Sequence, residues 1–106
     1  MLSHRNLMAM TVSHLADFDS PDENSSLLHG APMSHGSGHN SLAFTMKACT
    51  QVIHQRWGFN PALFLEQVET HRVAALFMVP TQIKMIVEHP ALDTRDVAPD
   101  TADYPQ

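Results

Sequence analysis

The sequence predicts an α/β fold: a three-stranded parallel sheet with crossover helices, an incomplete piece of a larger α/β domain. Three observations carry this. Val73-Ala74-Ala75-Leu76-Phe77-Met78-Val79 is nearly all apolar, as a strand covered on both faces must be. Two shorter runs, Leu27-Leu28 and Gln51-Val52-Ile53-His54, have strand character and are separated from it by segments with helical spacing. Proline and glycine fall where one element should give way to the next. Strands joined by helical crossovers run parallel, with right-handed connections. Three strands leave two open edges and apolar faces that need cover, so the unit reads as part of something larger.

The elements follow in order. Ser3 is an N-cap for a first helix with Leu7, Met8, Thr11, Val12 and Leu15 on one stripe, fading by Asp17. Asp19-Ser20-Pro21-Asp22-Glu23-Asn24 is a polar loop, and Leu27-Leu28 is the first strand, ending at Gly30. Ser41 to Cys49 is helical, with Leu42, Ala43, Met46 and Cys49 at helical spacing. The second strand is Gln51 to His54, and Trp57-Gly58-Phe59 is a turn. Asn60-Pro61 reads as an N-cap with proline in the first helical position, and Phe64, Leu65 and Val68 form that helix's apolar face. Pro80 stops the third strand. A last helix opens at Thr81 or Gln82, turns Ile83, Ile86 and Val87 inward, and ends near His89-Pro90. Met8, Met10, Met46, Met78 and Met85 sit in apolar runs and are expected to fill the core.

Bulk properties exclude several classes. A chain of 106 residues holds one small domain, burying about 65% of its unfolded surface. An apolar fraction of 43% against 16% charged residues describes a globular chain. A net charge of −5 with six Lys and Arg argues against nucleic acid and against anionic membrane surfaces. Cys49 is the only cysteine, so no intrachain disulfide forms, which fits a reducing compartment. With no leader pattern and no apolar run near ~18 residues, the expectation is a cytoplasmic protein without a membrane span.

The stretch with chemical promise is Ala31-Pro32-Met33-Ser34-His35-Gly36-Ser37-Gly38-His39-Asn40. It places His35 between the carboxyl end of a strand and the start of a helix. That edge is where open α/β sheets bind ligands, and the free N–H groups of a helix start suit anions.

Three segments together resemble the AMP-forming acyl-CoA synthetases of the adenylate-forming superfamily. Met1-Leu2-Ser3-His4-Arg5-Asn6-Leu7 is similar to the segment after that family's phosphate-binding loop. Ala31 to Gly38 resembles its proline–hydrophobic–x–histidine–x–x–glycine turn, and Phe77-Met78-Val79-Pro80-Thr81 its later strand ending in Val-Pro-Thr. Order and spacing agree across roughly residues 1–95. Those residues are therefore expected to form a partial AMP-dependent synthetase/ligase domain, with 96–106 a loose acidic tail outside the family pattern.

The resemblance implies activation of a carboxylic acid, fatty or aryl, by MgATP as an acyl-adenylate, followed by transfer to coenzyme A. It implies that His35 is the active-site histidine beside the reacting carboxylate. It gives Gly36, Ser37, Gly38 and Thr81 as substrate-binding positions, with Gly36 and Ser37 small where a wider or longer acyl group needs room. ATP, Mg2+ and coenzyme A belong to the full-length family member. The phosphate loop with its lysine, the adenine- and ribose-binding segments and the C-terminal domain are missing from the sequence. The expectation is thus a fragment, with an internal methionine read as a start and a break near residue 96, inactive as a ligase by itself.

Other readings weigh less. His35 and His39 are four residues apart with His29 nearby, a spacing that zinc can use. No glutamate lies between them and no cysteine pair completes a set, so no metal site is expected. His4, His14, His54, His71 and His89 read as solvated or capping residues, and Cys49 as a core residue rather than a nucleophile. The competing class is a small non-catalytic α/β module that pairs with another chain through its open sheet edges.

Overall fold

The computed structural model describes residues 1–18, 20–54 and 58–98. Helix α1 (His4–Asp17) leads to strand β1 (Ser26–His29), helix α2 (Gly36–Met46) and strand β2 (Thr50–Ile53). Helix α3 (Pro61–Thr70), strand β3 (Ala75–Phe77) and helix α4 (Pro80–Val87) follow, and a 3-10 turn covers Pro90–Thr94. The three strands form one parallel sheet in the order β2-β1-β3. The expected α/β class and parallel sheet are what the structure contains.

The first strand in the chain is the central one. Leu28 pairs with Val52 on one side and Leu76 on the other. Every residue of β1 is buried, because helices cover both faces. On one face Leu28 packs with Phe64, Val68 and Val73, joined by Val52, Phe59, Met78, Ile86 and Val97. On the other Leu27 packs with Ala43 and Phe44, joined by Leu15, Cys49, Ala75 and Phe77.

Local signals set several boundaries as read. Ser3 caps α1: its hydroxyl accepts the Asn6 N–H at 3.2 Å while Asn6 Oδ1 accepts the Ser3 N–H at 3.1 Å. Asn60 caps α3 by accepting the Leu63 N–H at 3.0 Å, and Phe64, Leu65 and Val68 are buried.

Other expectations are corrected. Met8 and Val12 are exposed, and the buried residue of α1 is Thr11, because α1 packs chiefly on α2 and its other side faces outward. Met10, Met46 and Met85 are exposed too, so of the five methionines expected in the core only Met78 packs into it. Helix α2 starts at Gly36, before Ser41, and ends before Cys49. Two glycines enter this helix because long-range contacts, described below, hold its first turn. Cys49 is half-buried, and its Sγ donates to the Asp22 carbonyl at 3.0 Å. Pro80 is the first residue of α4 rather than a stop before it. Ile83 and Val87 face outward, and Ile86 alone of that trio joins the core.

Beyond α4, Arg95 Nη1 donates to Glu69 Oε2 at 2.7 Å and Val97 packs on the α3 core. The guanidinium bond, then the Asp96 N–H, hold the Glu69 carboxyl below its usual range. Trp57 and residues 99–106, the remainder of the expected tail, lie outside the described residues.

Candidate functional site

The carboxyl ends of the three strands and the amino ends of α2 and α4 meet at one edge. Chain geometry fastens that edge at several points. The N–H groups of Gly30 and Ala31 both donate to the Phe77 carbonyl, at 2.9 and 3.3 Å, tying the loop after β1 to the end of β3. Gln82 spans the gap: its Nε2 donates to the Gly30 carbonyl at 2.8 Å and its Oε1 accepts the Val79 N–H at 3.1 Å. Within the loop, His35 N–H donates to the Pro32 carbonyl at 3.1 Å and Gly38 N–H to the His35 carbonyl at 3.0 Å.

His35 is the N-cap of α2 and is exposed, and its side chain makes no capping bond. Its imidazole therefore stands free at the helix start. It lines an open cleft of about 400 Å³ with Met33, Ser34, Gly36, Gly38 and His39. Gly36 and His39 also line a second, mostly apolar cavity of about 280 Å³ between α1 and α2, with Met10, His14, Ala43 and Phe77 among its walls. Gly36 and His39 are thus the residues common to the two. A β-carbon on Gly36 would meet Phe77 Cζ at 3.2 Å.

The structure separates the expected site residues by position. His35 and Gly36 stand together on the cleft. Ser37 is 0% exposed and its hydroxyl lies 2.6 Å from His29 Nδ1, so it faces the core instead of the cleft. Gly38 reaches the cleft but sits against the Met33 carbonyl, where no side chain fits. Thr81 is exposed on the first turn of α4. Its neighbour Gln82 is the residue that reaches a third hollow, of about 290 Å³, which His29, Met33, His54 and Phe59 help to line.

Sequence reasoning missed the groups that hold this edge. His29 is 1% exposed, and its Nε2 lies 2.9 Å from Gln51 Oε1. Gln51 Nε2 donates to Thr45 Oγ1 at 2.7 Å and to the Ser41 carbonyl at 3.3 Å, which leaves its oxygen for His29. In the neutral ring Nε2 then carries the hydrogen and Nδ1 accepts from Ser37. His54, expected as a solvated or capping residue, is half-buried: it accepts the Asn60 N–H on Nε2 at 3.2 Å, so its Nδ1–H donates to Gln67 Oε1 at 2.7 Å. The one legible hint was position: both histidines directly end or follow a strand.

Among the described residues no three of His, Cys, Asp and Glu converge on a metal-sized site, and both nitrogens of His29 are already engaged. No described Lys or Arg lines the three hollows at this edge. No described helix is long and apolar enough to cross a membrane.

Known proteins resemble this chain in sequence and in fold. Feruloyl-CoA synthases from Amycolatopsis sp and Streptomyces sp are each 32% identical over 100 residues, covering 92% of this chain and 20% of the relative. A medium/long-chain-fatty-acid–CoA ligase from Mycobacterium tuberculosis is 27% identical over 94 residues, covering 89% of this chain and 16% of the ligase. The chain thus spans between about a sixth and a fifth of the length of these curated relatives. The solved amide bond synthetase from Marinactinospora thermotolerans superposes with a TM-score of 0.76 at 23% identity, over 86% of this chain and 18% of that one. That likeness shows a shared fold. The sequence matches the family described as AMP-binding enzyme over residues 1–104, so the three-stranded α/β unit carrying the His35 turn belongs to the AMP-binding enzyme family of adenylate-forming ligases.

Proposed function

We propose that this chain supplies the carboxylate-facing turn of an acid–thiol ligase. In that reaction a carboxylic acid and MgATP give an acyl-adenylate and pyrophosphate, and the thiol of coenzyme A then displaces AMP to leave a thioester. One observation supports the reading above all others. His35 stands exposed at the carboxyl end of the central strand, with an imidazole that no capping bond engages. Such a ring can donate to a carboxylate oxygen and orient it for attack. Gly36 borders the acyl group, and its lack of a side chain keeps the His35 cleft close to the apolar cavity between α1 and α2. The names of the relatives, one an aromatic acid and one a fatty acid, support a substrate of either kind. Ser37 and Gly38 shape the turn from behind, and Thr81 flanks it on α4.

The residues described here do not fit the nucleotide or the magnesium ion. Among the described residues no Lys or Arg lines these clefts and no acidic cluster converges, so no phosphoryl step is assigned to them. We infer that the chain alone makes no thioester.

The test is a graft. Residues 1–98 replace the matching segment of the Amycolatopsis feruloyl-CoA synthase, and thioester formation is measured with ferulate and with a medium-chain acid. An active graft that loses about 10²-fold on His35→Ala supports the reading. A graft equally active without the imidazole overturns it.

A second reading has its own observation. Among the described residues strands β2 and β3 each pair on one side only, and beside those edges Ile53 and Leu76 are 51% and 47% exposed. Open edges of this kind suit a module that pairs with another chain. Cooperative unfolding of a monodisperse chain favours that module. Dye binding with no sharp transition favours a piece of a larger fold.

A further inference from the structure

Ser37, His29 and Gln51 follow one another as a hydroxyl, an imidazole and a group that orients it, the order of an activated nucleophile. Burial rules that role out, because Ser37 is 0% and His29 1% exposed and no substrate atom reaches either. What the array does is join three elements. His29 ends β1, Gln51 lies on β2, and Ser37 is in the first turn of α2. The segment from Gly30 to Gly36, with His35 in it, leaves the sheet at His29 and returns at Ser37. The 2.6 Å contact between those two residues closes the loop at its base. Because the His35 side chain has no capping bond of its own, the backbone of this loop decides where the imidazole stands.

We propose that His29 is a positioning residue for the His35 turn: clamped between Ser37 and Gln51, it fixes the base of the loop without touching a ligand. The inference rests on the reading of His35 given above, yet it is tested without catalysis. The turn is reported by the amides of His35 and Gly38, which donate to the Pro32 and His35 carbonyls.

Hydrogen exchange at these amides is compared in His29→Leu, Gln51→Met, Gln51→Glu and Val68→Ala, with urea adjusted to match global stability. Val68 lies in the core on the opposite face and controls for destabilisation as such. His29→Leu and Gln51→Met should speed exchange at His35 and Gly38 by about tenfold or more, while Val68→Ala leaves it unchanged. Gln51→Glu keeps an oxygen for His29 Nε2 and should restore the slow exchange. If His29→Leu does not fold, Gln51→Met at its half-buried edge position decides. Exchange in Gln51→Met equal to that in Val68→Ala overturns the proposal. Loss of His35 dependence in the graft overturns only the reading of His35, since the exchange result does not depend on it.

Discussion

Gly38 lies so close to the backbone carbonyl of Met33 that a β-carbon has no place to go without moving main chain. The clash is with backbone on both sides, so relief must shift the His35 loop or unwind the first turn of α2. Gly38→Ala should therefore destabilise the fold by about 2 kcal/mol, read as a lower urea midpoint. Gly36→Ala is the contrast. Its β-carbon would meet an aromatic edge atom of Phe77, which is only half-buried and can give way. There the strain is offset by the gain of replacing glycine in a helix, and a net change under about 1 kcal/mol is expected. Equal losses at the two positions would contradict this account.

The cap of α3 gives a second prediction. Asn60 Oδ1 accepts the Leu63 N–H, and the Asn60 N–H reaches His54 Nε2. Asn60→Ala removes the first bond only and should cost about 1 kcal/mol. Thermal unfolding measures the loss, and faster amide exchange at Leu63 assigns it to the cap. A loss without any change at Leu63 would place the effect elsewhere.

These two cases mark what the sequence made legible. Asn60-Pro61 is a local signal, because a cap and its helix are neighbours in the chain, and the start of α3 was readable to the residue. The three strands were readable from short apolar and β-branched runs set between helical segments, although only the central β1 is buried throughout and the edge strands β2 and β3 are partly exposed. The outward sides of α1 and α4 were not. Met8, Val12, Ile83 and Val87 fit an apolar stripe, but a stripe becomes core only where another layer covers it, and none of the described residues does so here. The groups that hold the candidate site were hidden for another reason. His29 meets Gln51 from 22 residues away, and Gln82 meets Gly30 from 52. No spacing rule reaches that far. His35 itself was legible through its turn, whereas the burial of Ser37 behind it could be known only once β1 and β2 were paired.

The pair Glu69 and Arg95 yields a pH prediction with a definite sign. The Arg95 guanidinium first, and the Asp96 N–H second, hold the Glu69 carboxyl below its usual range of about 4.5. A folded-state value depressed in this way contributes stability that is present above the unfolded value. It is lost as pH falls through the folded one. The pair should thus matter at neutral pH and fade below about pH 4.5. Both groups are at the surface, so the effect on stability is small and salt screens it. The sharper measurement is the carboxyl titration of Glu69 by carbon NMR. Arg95→Ala should move its midpoint upward, and a midpoint that stays in place would mean that the pair is not formed in solution.

The last prediction sets stability against chemistry at two positions on either side of Gly36. His35→Ala removes an exposed ring with no capping bond, so thermal stability should change by no more than about 0.5 kcal/mol. In the graft the same substitution should cost most of the thioester formation, because a donor near the carboxylate is gone. Ser37→Ala reverses the pattern. It strips His29 Nδ1 of its partner inside the core, where an unsatisfied polar atom costs about 1–3 kcal/mol, and the unfolding midpoint should fall accordingly. Its effect on the graft should come through a loosened turn and should therefore shrink as temperature is lowered or a stabilising osmolyte is added. The His35 loss should persist under both conditions, since no gain in order replaces a missing imidazole. Two deficits that respond alike to osmolyte would mean that His35 acts through the fold, and the turn would then hold no group that acts on the acid directly.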